Sequence, residues 1–257
     1  MMKLHSPRSH GRLRRAAALL LSGTTMLLAL HGAQAQAPQV RADAIPAFKQ
    51  LDSIEARVQG CVTCHGQQGQ GTADGYFPRI AGKPAGYLYN QLIAFRDGTR
   101  SYPPMNYLVA YLPDPYLKAM AEHFAAQRPP LPVQAVDTSP ANSAARARGQ
   151  LLATVGDASR GIPACIACHG KNLSGMEPGI PGLAGLRPAY IAGQLTRWKV
   201  GERHALAPDC MKRIATRLSD TDISAVAAWL SQQTPPAQTS PEPSNLVRMP
   251  LACGSQR

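Results

Sequence analysis

The chain has 257 residues, 44% hydrophobic, 16% charged and 5% aromatic, with six cysteines and a formal charge of +12. The length suits two small domains, so low a charge content excludes a disordered or coiled-coil chain, and six cysteines are too few to scaffold a chain of this size. Such a positive charge would ordinarily point to nucleic acid, because lysine and arginine neutralise phosphates, so where it sits matters more than its sum.

The first 35 residues hold five cations (Lys3, Arg8, Arg12, Arg14 and Arg15) and no acid. An apolar run from Ala16 to Leu30 follows, and then Ala33-Gln34-Ala35, the small-x-small pattern of a signal-peptidase site. This predicts a secretory signal, 1–35, cleaved near Ala35. A membrane anchor fits less well, because Ser22, Gly23, Thr24 and Thr25 dilute the run and no later stretch is long and apolar enough to span. At most peripheral association with a membrane is expected. Removal leaves a charge of +7 and places all six cysteines in an oxidising compartment. Residues 36–142 then carry +1 and residues 143–257 carry +6, a distribution that suits an acidic protein partner and not nucleic acid.

From residue 55 onward the chain repeats itself. Cys61-Val62-Thr63-Cys64-His65-Gly66 returns as Cys165-Ile166-Ala167-Cys168-His169-Gly170, an offset of 104. Pro78-Arg79-Ile80-Ala81-Gly82 returns as Pro181-Gly182-Leu183-Ala184-Gly185. Tyr87 to Arg96 and Tyr190 to Lys199 have apolar residues at three- and four-residue spacing with glycine shortly after, which predicts a helix in each half. A last helix begins at Asp114, with Pro115 in its first turn, and its counterpart begins at Ser219, with Asp222 three residues on as in a capping box. The proline-rich stretch 129–144 reads as a linker and 234–257 as a proline-rich tail. No run alternates like a strand. The expectation is an all-α chain with one small domain at 36–128 and another at 145–233.

Cys-x-x-Cys-His is the attachment sequence for c-type haem: two thiols reach the vinyl groups on one edge of the porphyrin while the next residue turns its imidazole onto the iron. A redox Cys-x-x-Cys pair or half of a zinc site would share the spacing, but the first belongs beside a βαβ pattern and the second needs two more ligands per half. Two copies in one exported chain predict two covalently bound haems c, held by Cys61, Cys64, Cys165 and Cys168, with His65 and His169 proximal. In each half one methionine stands at the same repeat position, Met105 and Met211, 40 and 42 residues after its histidine. Both are expected in loops ahead of the last helix, as thioethers delivered to the open face of the ring. Such ligation raises the potential and leaves no vacant site, as an electron carrier requires. Met120 reads as core filler. His123, at the repeat position of Trp229, reads as packing, and His204 is a competing ligand to Met211. Carbonyls at Pro78 and Pro181 are placed to accept the imidazole N–H, although each proline also reads as a plain turn.

These paired motifs, with the Tyr-Leu-x-x-Gln-Leu helix and the late methionine, resemble the dihaem cytochrome c4 family over about residues 55 to 233. The resemblance implies two tandem cytochrome c domains, each wrapped around one haem, related by approximate twofold symmetry with the haems close together. It implies a periplasmic, non-enzymatic carrier of single electrons from a quinol-oxidising complex or dehydrogenase to a terminal oxidase or reductase, with the iron ligands listed above. Asp209-Cys210 and the tail ending Leu251-Ala252-Cys253-Gly254 depart from the pattern. They keep open the alternative of an electron-accepting subunit of a periplasmic dehydrogenase complex. Cys210 and Cys253, left over after haem attachment, are expected to form a disulfide, the alternative being free or intermolecular thiols. A porphyrin core in each domain also accounts for so few aromatic residues.

Overall fold

The computed structural model describes residues 52–131, 139, 142–233, 240–243 and 248–256, all within one unit spanning Ala47–Arg257. The signal segment 1–35, and 132–138, 140 and 141 of the linker and 234–239 and 244–247 of the tail, lie outside the described residues. The first half runs α1 (Ile54–Arg57), α2 (Gln59–His65), α3 (Ala85–Arg96), α4 (Pro103–Val109) and α5 (Asp114–Ala126). The second runs α6 (Ser143–Thr154), α7 (Ile166–His169), α8 (Pro188–Val200), α9 (Cys210–Ala215) and α10 (Asp220–Ser231). Among the described residues no helix is long and apolar enough to cross a membrane.

Local chemistry sets the boundaries. Helices α3 and α8 each begin two residues before the predicted tyrosine; α8 opens on Pro188, whose fixed φ and missing N–H suit a first helical position. It ends at Gly201, φ 82°, in the left-handed conformation that glycine adopts without steric cost. Helix α5 opens at Asp114, whose carboxylate accepts from Arg96 Nη1 at 2.6 Å and so ties α5 to the end of α3. In α10 the Ser219 hydroxyl accepts from Asp222 N at 3.0 Å while the Asp222 carboxylate accepts from Ser219 N at 3.1 Å, a reciprocal capping box.

Each half closes around its own apolar cluster. Leu88, Phe95, Leu117, Met120 and Phe124 centre the first, and Leu152, Ile191, Leu195, Trp198 and Leu230 the second. His123 is half-buried with its ring edge-on to Phe124, the packing role expected of it. Helix α6 begins inside the stretch read as linker and lies against α10, crossing it at Gly149, where a Cβ would sit 2.1 Å from the Ala225 carbonyl oxygen. The expectation of no strands needs one correction. Two antiparallel pairs of two residues occur in the second half, β1 (Gly156–Asp157) with β2 (Ile162–Pro163) and β3 (Gly175–Met176) with β4 (Ile180–Pro181). At that length side-chain alternation leaves no trace in the sequence.

Candidate haem sites

Helices α2 and α7 end on the motif histidines, and in both the next residue is a glycine at positive φ, 82° at Gly66 and 84° at Gly170. Both histidines are 7% exposed. Nδ1 of His65 lies 2.8 Å from the Pro78 carbonyl oxygen and Nδ1 of His169 lies 2.7 Å from that of Pro181. A carbonyl only accepts, so each Nδ1 carries the proton and each Nε2 keeps a free lone pair, the tautomer a metal ligand needs. Burial, opposed by these hydrogen bonds, lowers the pKa of both rings, that of His169 to about 4, so both imidazoles are neutral at pH 7.

Cys61, Cys64, His65, Pro78 and Met105 line one cavity of about 440 Å³, and Cys165, Cys168, His169, Pro181 and Met211 line another of about 140 Å³. The structure thus brings each predicted set together, residue for residue. Met105 and Met211 stand on the short helices α4 and α9 and not in loops. Pro103 and Pro104 open α4 where no N–H is needed, and Asp209 caps α9 by accepting from Lys212 N at 2.9 Å. Both helices are only one or two turns long, too short for periodicity to show. Met120 is buried and also walls the first cavity. His204 is exposed and lines neither cavity. Burial pushes the thiols up, Cys61 and Cys168 to about 11 and Cys165 to about 12, which argues against a thiolate redox pair. Cys210 and Cys253 form a disulfide.

Between the cavities lies a set of side chains that sequence reasoning passed over. Arg100 and Arg203 occupy the same repeat position and pair as an antiparallel bridge. Gln91 Oε1 accepts from Arg100 at 2.9 Å and Arg203 at 2.8 Å; its repeat mate Gln194 accepts from Arg100 at 3.0 Å and Arg203 at 2.7 Å. Tyr87 and Tyr190 complete the twofold pattern, accepting from Arg203 at 3.4 Å and Arg100 at 3.3 Å. The signal was available: Gly98-Thr99-Arg100 repeats as Gly201-Glu202-Arg203 at the offset of Gln91 and Gln194.

Lys83 is buried beside this cluster with its ammonium on the Gly182 carbonyl at 3.0 Å, and it lines both cavities. None of Lys83, Arg100 and Arg203 has a carboxylate within ion-pair distance among the described residues. Burial, aggravated by the neighbouring cations, presses Lys83 down to about 8 and Arg203 to about 10. Nε of Arg203 and Nε1 of Trp198, both on the second cavity, are buried donors without an acceptor. Buried cations and orphaned donors are costly unless anions meet them. A flat apolar group with two carboxylates, attached through thiols and facing an imidazole, satisfies all of these residues, so they fit haem c.

The Cytochrome c family matches residues 55–123. The chain is 37% identical over 176 residues to the thiosulfate dehydrogenase electron acceptor of Thiomonas intermedia, covering 67% of this chain and 78% of that protein. It is 32% identical over 178 residues to cytochrome c4 of Pseudomonas aeruginosa, covering 68% of this chain and 85% of that one. The crystal structure of reduced cytochrome c4 from Pseudomonas stutzeri superposes with a TM-score of 0.61 at 29% identity, covering 72% of this chain and 99% of the other.

Proposed function

The chain belongs to the cytochrome c4 family, and from that premise we propose a periplasmic carrier that holds two covalent haems c and passes single electrons between respiratory partners. The observation that supports this best is the duplication itself: two matching Cys, Cys, His, Met sets whose cavities share the walls Lys83, Tyr87, Gln91, Tyr190 and Gln194. Bound haem supplies a one-electron iron couple.

The chain's own residues do the rest. Cys61, Cys64, Cys165 and Cys168 would hold the two haems covalently. His65 and His169 present Nε2 because the Pro78 and Pro181 carbonyls hold Nδ1–H. Met105 and Met211, each on the wall of the same cavity as its histidine, would offer the iron a soft sulfur, which favours the reduced state. Arg100, Arg203 and Lys83, gathered between the two cavities with the shared glutamines orienting the two arginines, would meet the carboxylates of bound haem. The predicted signal at 1–35 supports a periplasmic location for the mature chain.

The relative named as an electron acceptor of thiosulfate dehydrogenase supports a dehydrogenase as the class of donor. Anaerobic mixing of the ferric protein with thiosulfate dehydrogenase and thiosulfate tests this. Reduction of two haems per chain, slowed by added salt, is the expected result. No reduction of either haem would exclude that donor. Stoichiometric co-elution with a dehydrogenase from the native host would favour the subunit alternative over a free carrier.

A further inference from the structure

The two sites are closed by different devices. In the first half Tyr76 and Tyr102 flank the site, one from the loop ahead of Pro78 and the other from the residue capping α4, and their hydroxyls meet at 3.1 Å. Their repeat positions in the second half are Gly179 and Pro208, which have no hydroxyl to offer. The C-terminal tail occupies that gap. Gly254 N donates to the Pro208 carbonyl at 3.0 Å, and the Ser255 carbonyl lies so near Gly179 that a Cβ there would be 1.9 Å away. Leu251 and Ser255 complete the wall of the cavity beside Met211.

The described parts of the tail are fastened at several points. Glu242 pairs with β3, accepting from Glu177 N at 2.8 Å and donating to the Gly175 carbonyl at 2.9 Å. Met249 packs on Cys168, Met176 and Ile180. Cys253 is buried and bonded to Cys210, the residue before Met211, and the turn Gly254–Gln256 rests against α3 of the first half. The tail therefore bridges the haem-attachment motif, the hairpin β3–β4, the methionine helix α9 and the neighbouring domain.

We propose that this strap is a covalent lid on the second haem site: it pins the Met211 segment in place and shuts that face to outside ligands, leaving the first site, closed among the described residues by a tyrosine pair, as the more accessible one. The inference rests on the reading of Met211 as the distal ligand. A thioether leaves the iron only when its segment opens locally, so a strap tied to the adjacent residue suppresses that opening. The smaller second cavity, about 140 Å³ against about 440 Å³, agrees with a wall added there.

Cyanide binding to the ferric holoprotein tests the lid, followed by the haem absorbance and by loss of the methionine–iron charge-transfer band. Two phases are expected. In the double variant Cys210→Ser, Cys253→Ser the slower phase should accelerate at least tenfold while the other is unchanged. If that variant does not fold, the wild-type protein with its disulfide opened by a phosphine, its thiols capped by iodoacetamide and its iron reoxidised should behave the same way. Tyr102→Phe, which removes only the tyrosine pair's hydrogen bond, should speed the other phase instead. Unchanged cyanide kinetics after opening the disulfide, with the methionine–iron band of both haems intact, would overturn the lid alone. Absence of that band at the second haem in untreated protein would overturn the ligand reading and the lid with it.

Discussion

Asp222→Asn removes one charge from the packing that supports the second site. The Asp222 side chain is 6% exposed and its carboxylate accepts from Arg148 Nε at 2.9 Å and from Arg160 Nη1 at 2.7 Å. It therefore joins α10 to α6 and to the Ala158–Arg160 turn that precedes Cys165. Burial alone would raise this carboxyl, yet the hydrogen bonds from Arg160, Arg148 and Ser219 hold it well below the usual carboxylate range. Asparagine keeps the shape and, with its oxygen in the Oδ2 place, the acceptor for Ser219 N, so the capping box survives while the charge and the acceptor for Arg148 Nε are lost. Removing one partner of a buried ion pair costs about 3–5 kcal/mol. Here both guanidinium groups are about one-third exposed and Asp157 stays within 3.5 Å of Arg148 and 2.8 Å of Arg160, so water and a second carboxylate offset part of the loss. A cost of roughly 2–3 kcal/mol remains, or about 4–12 °C in melting temperature for a chain of this size. Thermal unfolding of the ferric holoprotein, followed by far-ultraviolet circular dichroism, measures it. The pH dependence supplies a second check. A carboxyl whose folded pKa is depressed stabilises above its unfolded value, about 3.9, and loses that contribution as pH falls toward the folded value. The gap between wild type and variant should be full at pH 7 and narrow steadily below pH 4. Equal melting temperatures at pH 7, or a gap that stays constant down to pH 3, would refute the reasoning.

Two further substitutions probe the packing and the cavity electrostatics. Gly149→Ala gains about 1 kcal/mol of helix propensity but drives a methyl to 2.1 Å from the Ala225 carbonyl, which cannot yield without parting α6 from α10. The denaturant midpoint should therefore fall by the equivalent of about 2 kcal/mol at unchanged slope, and a rise would show that the helices are not in close contact there. Arg203→Met removes a buried cation from the wall of the second cavity, and since positive charge favours the reduced iron, spectroelectrochemistry should find the potential of at least one haem lowered by tens of millivolts; unchanged or raised potentials would contradict the cluster's proposed role.

Much of this architecture could be read from the repeat. Cys61, His65 and Met105 recur as Cys165, His169 and Met211, and a single chemical purpose explains all three pairs, so their convergence on two cavities follows from the spacing. Helices α3, α5, α8 and α10 are each more than three turns long with one apolar face, and their signals survive in sequence. Helix α6 did not stand out because its contact residue is Gly149, a helix breaker by propensity and the one residue small enough for the crossing. The methionine helices and the two-residue strands are shorter than any period that would reveal them. Arg100 and Arg203 were hidden for another reason: they look like surface charges until the two halves meet and bury them against Gln91 and Gln194. The disulfide could be inferred by elimination, since four of six cysteines serve haem attachment, but its consequence could not. That required seeing Leu251 and Ser255 against the cavity and glycine at the position where the first half has Tyr76.

Sulfur ligation of both irons is the claim on which the carrier reading turns, and the near-red charge-transfer band of the ferric protein measures it directly. The wild-type spectrum should show the band for two haems, with Met105→Ala and Met211→Ala each abolishing it for one haem and leaving the other intact. Retention of the full band in both variants would mean that other groups ligate the irons and would contradict the account.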